Sequence, residues 1–180
     1  MNEDVERILL SEREILEKVS ELASLIEKDY RGKRPVFIGV LRGSFVFMAD
    51  LIRKINMDCV IDFMAVSSYG IGSTSTGAVR ITKDVELDLE GKDILLVEDI
   101  LDSGLTLNYL MQFLSANKPA SIRICTLLNK PSRRNVDVFP DYCGFEIPDE
   151  FVVGYGLDYA DRYRNLPYIG VLKPSVYGKE

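Results

Sequence analysis

The 180-residue sequence predicts a doubly wound α/β fold, a mainly parallel sheet with helices on both faces. Two observations carry this. The runs PVFIGVL (35–41), ILLV (94–97) and IRICTLL (122–128) are apolar without alternation, the pattern of strands buried on both faces. Segments of helical period alternate with them, as parallel strands joined by crossover helices require.

The elements follow in order. Ser11 with Glu14 makes an S-x-x-E capping box, and Ile15, Val19, Leu22 and Ile26 recur at helical spacing until Gly32 offers a stop. After PVFIGVL and the turn Arg42-Gly43-Ser44, the positions Phe45, Met48, Leu51, Ile52 and Ile55 predict a second helix. CVIDFMAV (59–66) returns as a strand, and VRITKDV (79–85) alternates like a strand exposed on one face. Leu107, Leu110, Met111 and Leu114 mark a helix over about 106–116, and IRICTLL is the next strand. Beyond residue 130 the pattern breaks into short strands near 151–153 and 168–171 among aromatic-rich loops. This reads as a small cap or hood, with the N-terminal segment contributing, on a single domain spanning 1–180.

Composition narrows the chemistry. There is no histidine, so proton transfer falls to a carboxylate, Lys, Tyr or Cys. Cys59, Cys125 and Cys143 are odd in number and widely spaced, which predicts reduced, inert thiols. No apolar run approaches the roughly 18 residues of a membrane span, and the acidic N-terminus does not read as a signal peptide, so a cytoplasmic location is expected. The net charge of −6 argues against broad nucleic-acid binding and makes an anionic substrate need local amides, Arg, Lys or a divalent metal.

The stretch ILLVEDILDSGLTL (94–107) is the most informative, because a buried run ends by crowding Glu98, Asp99 and Asp102 against a small-residue turn. Like charges so close repel, which a bound ligand would repay. At the carboxyl end of a strand these acids should face the ligand crevice, and residues 102–106 lead into a helix whose free N–H groups favour a phosphate. Capping by Asp102 or Ser103 with no ligand remains open from this segment alone.

VEDILDSGLT resembles the phosphoribosyl pyrophosphate (PRPP) motif of type I phosphoribosyltransferases. With VLRGSFVFMADL, SSYG, LLNKPSRR and FVVGYGLDYADRYRNLP in order over roughly 35–171, the chain resembles the 6-oxopurine branch of that family. The resemblance implies the type I fold and magnesium-dependent transfer of a 5-phosphoribosyl group from PRPP to N9 of hypoxanthine or guanine, giving a nucleoside monophosphate, IMP or GMP, and pyrophosphate in purine salvage. Glu98 and Asp99 would meet the ribose hydroxyls or their metal-bound form, and Ser103, Gly104, Leu105 and Thr106 would hold the 5-phosphate. Asp102 matches the candidate general base at purine N7.

Arg42 and Gly43 match the pyrophosphate loop, where the family also implies a cis peptide; on their own they read equally as a tight strand–helix turn. SSYGIGSTSTG (67–77) reads either as a flexible linker or as a lid, and the resemblance makes it the lid, with Ser68 and Tyr69 closing over pyrophosphate. Lys130 would donate to the 6-oxo group, Phe151 would stack on the purine, and the Val152 carbonyl would meet the base edge. Asp158 matches a magnesium ligand and Arg164 a pyrophosphate-binding cation. Arg133 and Arg134 read as solvated charges. The family also implies a homodimer or homotetramer. Two rivals are an RNA-binding regulator on the same fold, supported only by the basic cluster NKPSRRN, and an enzyme for xanthine or a pyrimidine.

Overall fold

The computed structural model describes residues 2–68 and 79–178. The first two elements are strand β1 (Val5–Leu10) and helix α1 (Glu12–Asp29). Ser11 caps α1 as expected: its hydroxyl accepts from the Glu14 N–H, and the Glu14 carboxylate accepts from the Ser11 N–H at 2.8 Å. Then come β2 (Val36–Leu41), α2 (Phe45–Lys54), β3 (Val60–Ser68), β4 (Val79–Lys83), β5 (Asp93–Leu101), α3 (Leu105–Ser115) and β6 (Ser121–Asn129). The chain finishes with β7 (Tyr142–Glu146), β8 (Val152–Val153), β9 (Ile169–Leu172) and the one-turn helix α4 (Pro174–Tyr177).

The main sheet has the order β4-β3-β2-β5-β6-β7, with every neighbour parallel except the antiparallel pair β3–β4. Period-2 alternation divides the core in two. Phe37, Leu95, Val97, Cys125 and Leu127 face α1 and α2, while Val36, Ile38, Val40, Ile94, Leu96 and Ile124 face α3. Helix α1 buries Ile15, Val19, Leu22, Ala23 and Ile26 on the first face, the large ones stabilising by about 1.5–3 kcal/mol each. Both faces are covered, which is why the central strands carry no polar alternation.

From β2 the order runs to β3 on one side and to β5 on the other. The crevice outside the carboxyl ends of β2 and β5 is therefore the topological switch point, where open α/β sheets bind ligands. A second sheet, β1-β9-β8, is antiparallel and packs around Val153, Tyr163, Leu166 and Leu172.

Three features differ from the sequence expectation. The strand expected at 94–97 continues to Leu101 because Glu98, Ile100 and Leu101 keep pairing with Thr126, Leu128 and Asn129 of β6. Residues 142–146, assigned above to the cap region, add a sixth strand to the main sheet, pairing parallel with β6. Ser67 and Ser68, expected in the loop, extend β3 and pair with Arg80 and Val79. Tyr69 and the rest of the expected lid lie outside the described residues, as does the Ser68 side chain.

Candidate active site

Three parallel strands deliver their C-terminal loops to one edge of the sheet. β2 leads into Arg42-Gly43-Ser44, β5 into Asp102-Ser103-Gly104, and β6 into Lys130. The first of these loops touches β5 itself at the switch point. A Cβ on Gly43 would lie 1.7 Å from Asp99 Oδ2, so only glycine lets the loop pass this carboxylate. On its other side Gly43 is backed by Gly156, whose own Cβ would lie 2.1 Å from the Gly43 carbonyl oxygen. The Leu41–Arg42 peptide is cis, as the resemblance implied.

The acid pair lies deeper than its place in the sequence suggested. Asp99 is 7% exposed, and Glu98 Oε2 is buried with no hydrogen-bond partner among the described residues. Burial first, and the neighbouring Asp99 second, push the Glu98 carboxyl well above the usual range. Burial also raises Asp99, partly offset by backbone N–H groups and by Arg164. An acid pair in this state is short of positive charge, the electrostatic condition for a cation or several hydroxyl donors.

Beyond β5, helix α3 opens at Gly104 with φ +83° and no side-chain cap. The N-cap residue itself carries no side-chain cap, and of the two residues offered for capping Ser103 accepts from the Leu105 N–H at 3.4 Å. The first-turn N–H groups of α3, with the exposed Leu105 and half-buried Thr106, face outward with the positive end of the helix dipole. Gly104 also has no room for a side chain, since a Cβ would meet Val136 at 2.9 Å and Arg134 at 3.1 Å.

That contact corrects the reading of Arg134 as a solvated charge, whereas Arg133 is exposed, as that reading had it. Arg134 is half-buried, donating to the Val138 carbonyl at 2.8 Å and to Asn129, and its Nε is buried without a partner among the described residues. It braces the 102–104 turn from below, where the Asn135 N–H also donates to the Ser103 carbonyl at 2.9 Å. Arg133 donates to Asp102 at 3.1 Å and lies 3.6 Å from Asp149. Arg133 meets Asp102, and Arg134 packs beside Gly104, because the 130–138 segment folds back over the 101–104 turn, a contact no local pattern announces.

A cleft of about 400 Å³ brings together Asp102, Lys130, Phe151, Val152 and Asp158, five candidates from four segments of the chain. Ile100, Arg133, Asp149, Glu150, Leu157 and Tyr177 complete its lining. Lys130 is 6% exposed, and its ammonium donates to the Glu150 carbonyl at 2.7 Å. Phe151, which strand position alone would place in the core, is 38% exposed. Val152 is buried in β8.

Arg164 donates to the Gly156 carbonyl at 2.7 Å and pairs with Asp158 at 2.7 Å; Arg42 pairs with Asp161 at 2.8 Å. The two cations flank one side of the crevice, and Leu41, Arg42, Asp161 and Arg164 share a surface depression there. The structure does not unite the three expected metal ligands: among the described residues no three His, Cys, Asp or Glu side chains form a metal-holding group. Asp158 belongs to the hood side and is engaged by Arg164 and the Asp161 N–H, whereas Glu98 and Asp99 lie in β5. Arg133 and Tyr177 were missed as lining residues. Arg133 had a visible signal in its basic cluster; Tyr177 had none.

Residues 7–160 match the family model described as the phosphoribosyl transferase domain. The chain belongs to the phosphoribosyltransferase family. Within the family it is 56% identical over 177 residues to the hypoxanthine-guanine phosphoribosyltransferase of Bacillus subtilis, covering 98% of each chain. It is 50% identical to the bifunctional protein TilS/HprT of Listeria monocytogenes, of whose length it spans 28%. A crystal structure of a hypoxanthine phosphoribosyltransferase from Staphylococcus aureus superposes with a TM-score of 0.95 at 51% identity, over 98% of this chain and 96% of the other. The phosphoribosyltransferase fold expected from the sequence is thus the fold observed.

Proposed function

We propose that this phosphoribosyltransferase moves a 5-phosphoribosyl group from PRPP to N9 of hypoxanthine or guanine, releasing pyrophosphate and forming IMP or GMP. The observation that carries the reading is the cleft itself: an acid, a buried ammonium and an open aromatic ring stand together beside an amide-lined turn and an acid pair. The family membership and the hypoxanthine-guanine relatives support the same substrate class.

In this reading the base enters the cleft with one face on Phe151 and its 6-oxo group toward the Lys130 ammonium. Lysine has only donors, so it selects a carbonyl over the 6-amino group of adenine. As N9 bonds to C1′ and the C1′–pyrophosphate oxygen bond breaks, the N7 proton passes to Asp102. Among the described residues Arg133 engages Oδ1 of Asp102, which leaves Oδ2 for that proton. The carboxylate charge also stabilises the cationic ribose of the transition state. Ser103 to Thr106 take the 5-phosphate, and Arg42, Gly43 and Arg164, with Ser68 and Tyr69 of the proposed lid, take the pyrophosphate.

Magnesium belongs to the same proposal. The partnerless Glu98 oxygen beside Asp99 fits a cation or the ribose hydroxyls that a cation orders, and Asp158 provides a separate carboxylate on the pyrophosphate side. Dispersed carboxylates suit magnesium, which keeps water and phosphate oxygens in most of its positions. When bound, it would supply charge neutralisation for the leaving pyrophosphate.

The RNA-binding rival is disfavoured because both arginines of its basic cluster are turned onto partners within the protein. We further propose that residues 1–180 act as one domain in a cytoplasmic homodimer or homotetramer, which light scattering checks for assembly. The decisive experiment is a spectrophotometric assay with PRPP, magnesium and each base in turn. IMP and GMP formation is expected; no product with any purine refutes the proposal.

A further inference from the structure

The platform proposed for the base is stacked on one side by another ring of the protein. The ring of Tyr177, the last residue of α4, lies against Phe151 with centroids 4.7 Å apart and planes 20° from parallel. Tyr159 meets the same ring perpendicularly, with centroids 5.5 Å apart. Phe151 still keeps 38% of its surface exposed, and it lines the cleft together with Tyr177.

The C-terminal turn is held in that place by the hood. The Leu172 N–H donates to the Phe151 carbonyl at 2.8 Å, and the Lys173 N–H donates to the Asp4 carbonyl at 3.0 Å. The Lys173 ammonium reaches the Glu3 carbonyl, and Val176 and Tyr177 pack on the cluster of Val153, Tyr163, Leu166 and Leu172. The Tyr177 hydroxyl has no hydrogen-bond partner among the described residues, so this residue acts through its ring face. An exposed phenylalanine just before a two-residue strand would otherwise sample several rotamers, and ordering it would fall on the arriving base.

We propose that Tyr177 is a positioning residue for base recognition: stacked on one face of Phe151, it fixes the tilt of that ring and presents the remaining face to the purine. The inference rests on the reading that the base stacks on Phe151. An aromatic pair of this geometry corresponds to about a three- to tenfold change in affinity.

The test is steady-state kinetics of Tyr177→Ala and Tyr177→Phe with Phe151→Ala in parallel. In Tyr177→Ala the KM for hypoxanthine and guanine rises about three- to tenfold, while kcat and the KM for PRPP change by less than about twofold; Tyr177→Phe restores the base KM. Because the chain has no tryptophan, Tyr177→Trp adds a single fluorophore at this ring, and its emission maximum stays in place when GMP binds. An unchanged base KM in Tyr177→Ala overturns the proposal, as does an equal rise in both substrates' KM, which marks general hood stability. A lower base KM, or a red shift on binding GMP, also overturns it, since the tyrosine would then occupy the base's own place. If Phe151→Ala likewise leaves the base KM unchanged, the stacking reading itself fails. If Phe151→Ala raises it and Tyr177→Ala does not, only this inference does.

Discussion

Gly43→Ala is the sharpest perturbation the structure offers. The added methyl would sit 1.7 Å from Asp99 Oδ2 and 2.5 Å from Asp99 Cγ, whereas carbon atoms pack at about 3.5–4.0 Å. The carboxylate or the loop must therefore retreat by roughly 1.5–2 Å. Neither has room: Asp99 is 7% exposed on a strand paired on both sides, and the Gly43 carbonyl is backed by Gly156. Overpacking of this kind costs about 1–3 kcal/mol of stability. In a protein of this size each kcal/mol lowers Tm by about 2–4 °C. The functional effect should be larger in proportion, because a displacement of about 1 Å in a positioned group can cost roughly 10²-fold in rate. The assay is kcat/KM for PRPP at saturating hypoxanthine, alongside Tm by differential scanning fluorimetry. Gly91→Ala is the control: it lies at φ +69° with open space around its Cβ position, so it should lower Tm and leave kinetics alone. A Gly43→Ala enzyme with wild-type kcat/KM for PRPP would refute the claim that the loop and Asp99 form one rigid contact in the site.

Three further outcomes are expected. Asp102→Asn keeps the side-chain shape but cannot take a proton, so kcat falls by roughly 10²–10⁴ while the KM for PRPP barely moves; stopped assays of IMP formation check it. Lys130→Met removes a charged donor and leaves the Glu150 carbonyl without its 2.7 Å partner, so kcat/KM for hypoxanthine falls by about 10- to 100-fold and discrimination against adenine narrows. Asp93 is held below the ordinary carboxylate range, first by the Ser121 hydroxyl at 2.6 Å and then by Lys33 at 2.9 Å. A depressed native pKa adds stability above the unfolded value of about 3.9 and loses it as pH falls through the native value, so acid should lower Tm more in wild type than in Asp93→Asn. Equal acid sensitivity in thermal melts of the two proteins would contradict this.

The candidate site was legible where chemistry is local. VEDILDSGLT places three carboxylates and an amide-rich turn within one strand–turn–helix unit, so its composition favoured a ligand site over simple capping. Lys130 and Phe151 were identified by resemblance rather than by any local signal, since a lysine after a strand and a phenylalanine on one are ordinary. Arg134 was misread because what covers it lies far back in the chain, at the Gly104 turn, although its hydrogen-bond partners Asn129 and Val138 are near neighbours. YCGFE was misplaced because five residues of mixed polarity cannot declare which sheet they join.

By itself the sequence determined the βα alternation, the two-faced burial of the central strands and the crowding of acids on β5, because each follows from spacing along a few neighbouring residues. Only the tertiary structure decided that Asp99 bears on Gly43, that Arg134 braces Gly104, and that Tyr177 returns from the C-terminus to stack on Phe151. Those contacts join segments far apart in the chain, and packing fixes them through van der Waals fit of whole elements, information that no short stretch of residues contains.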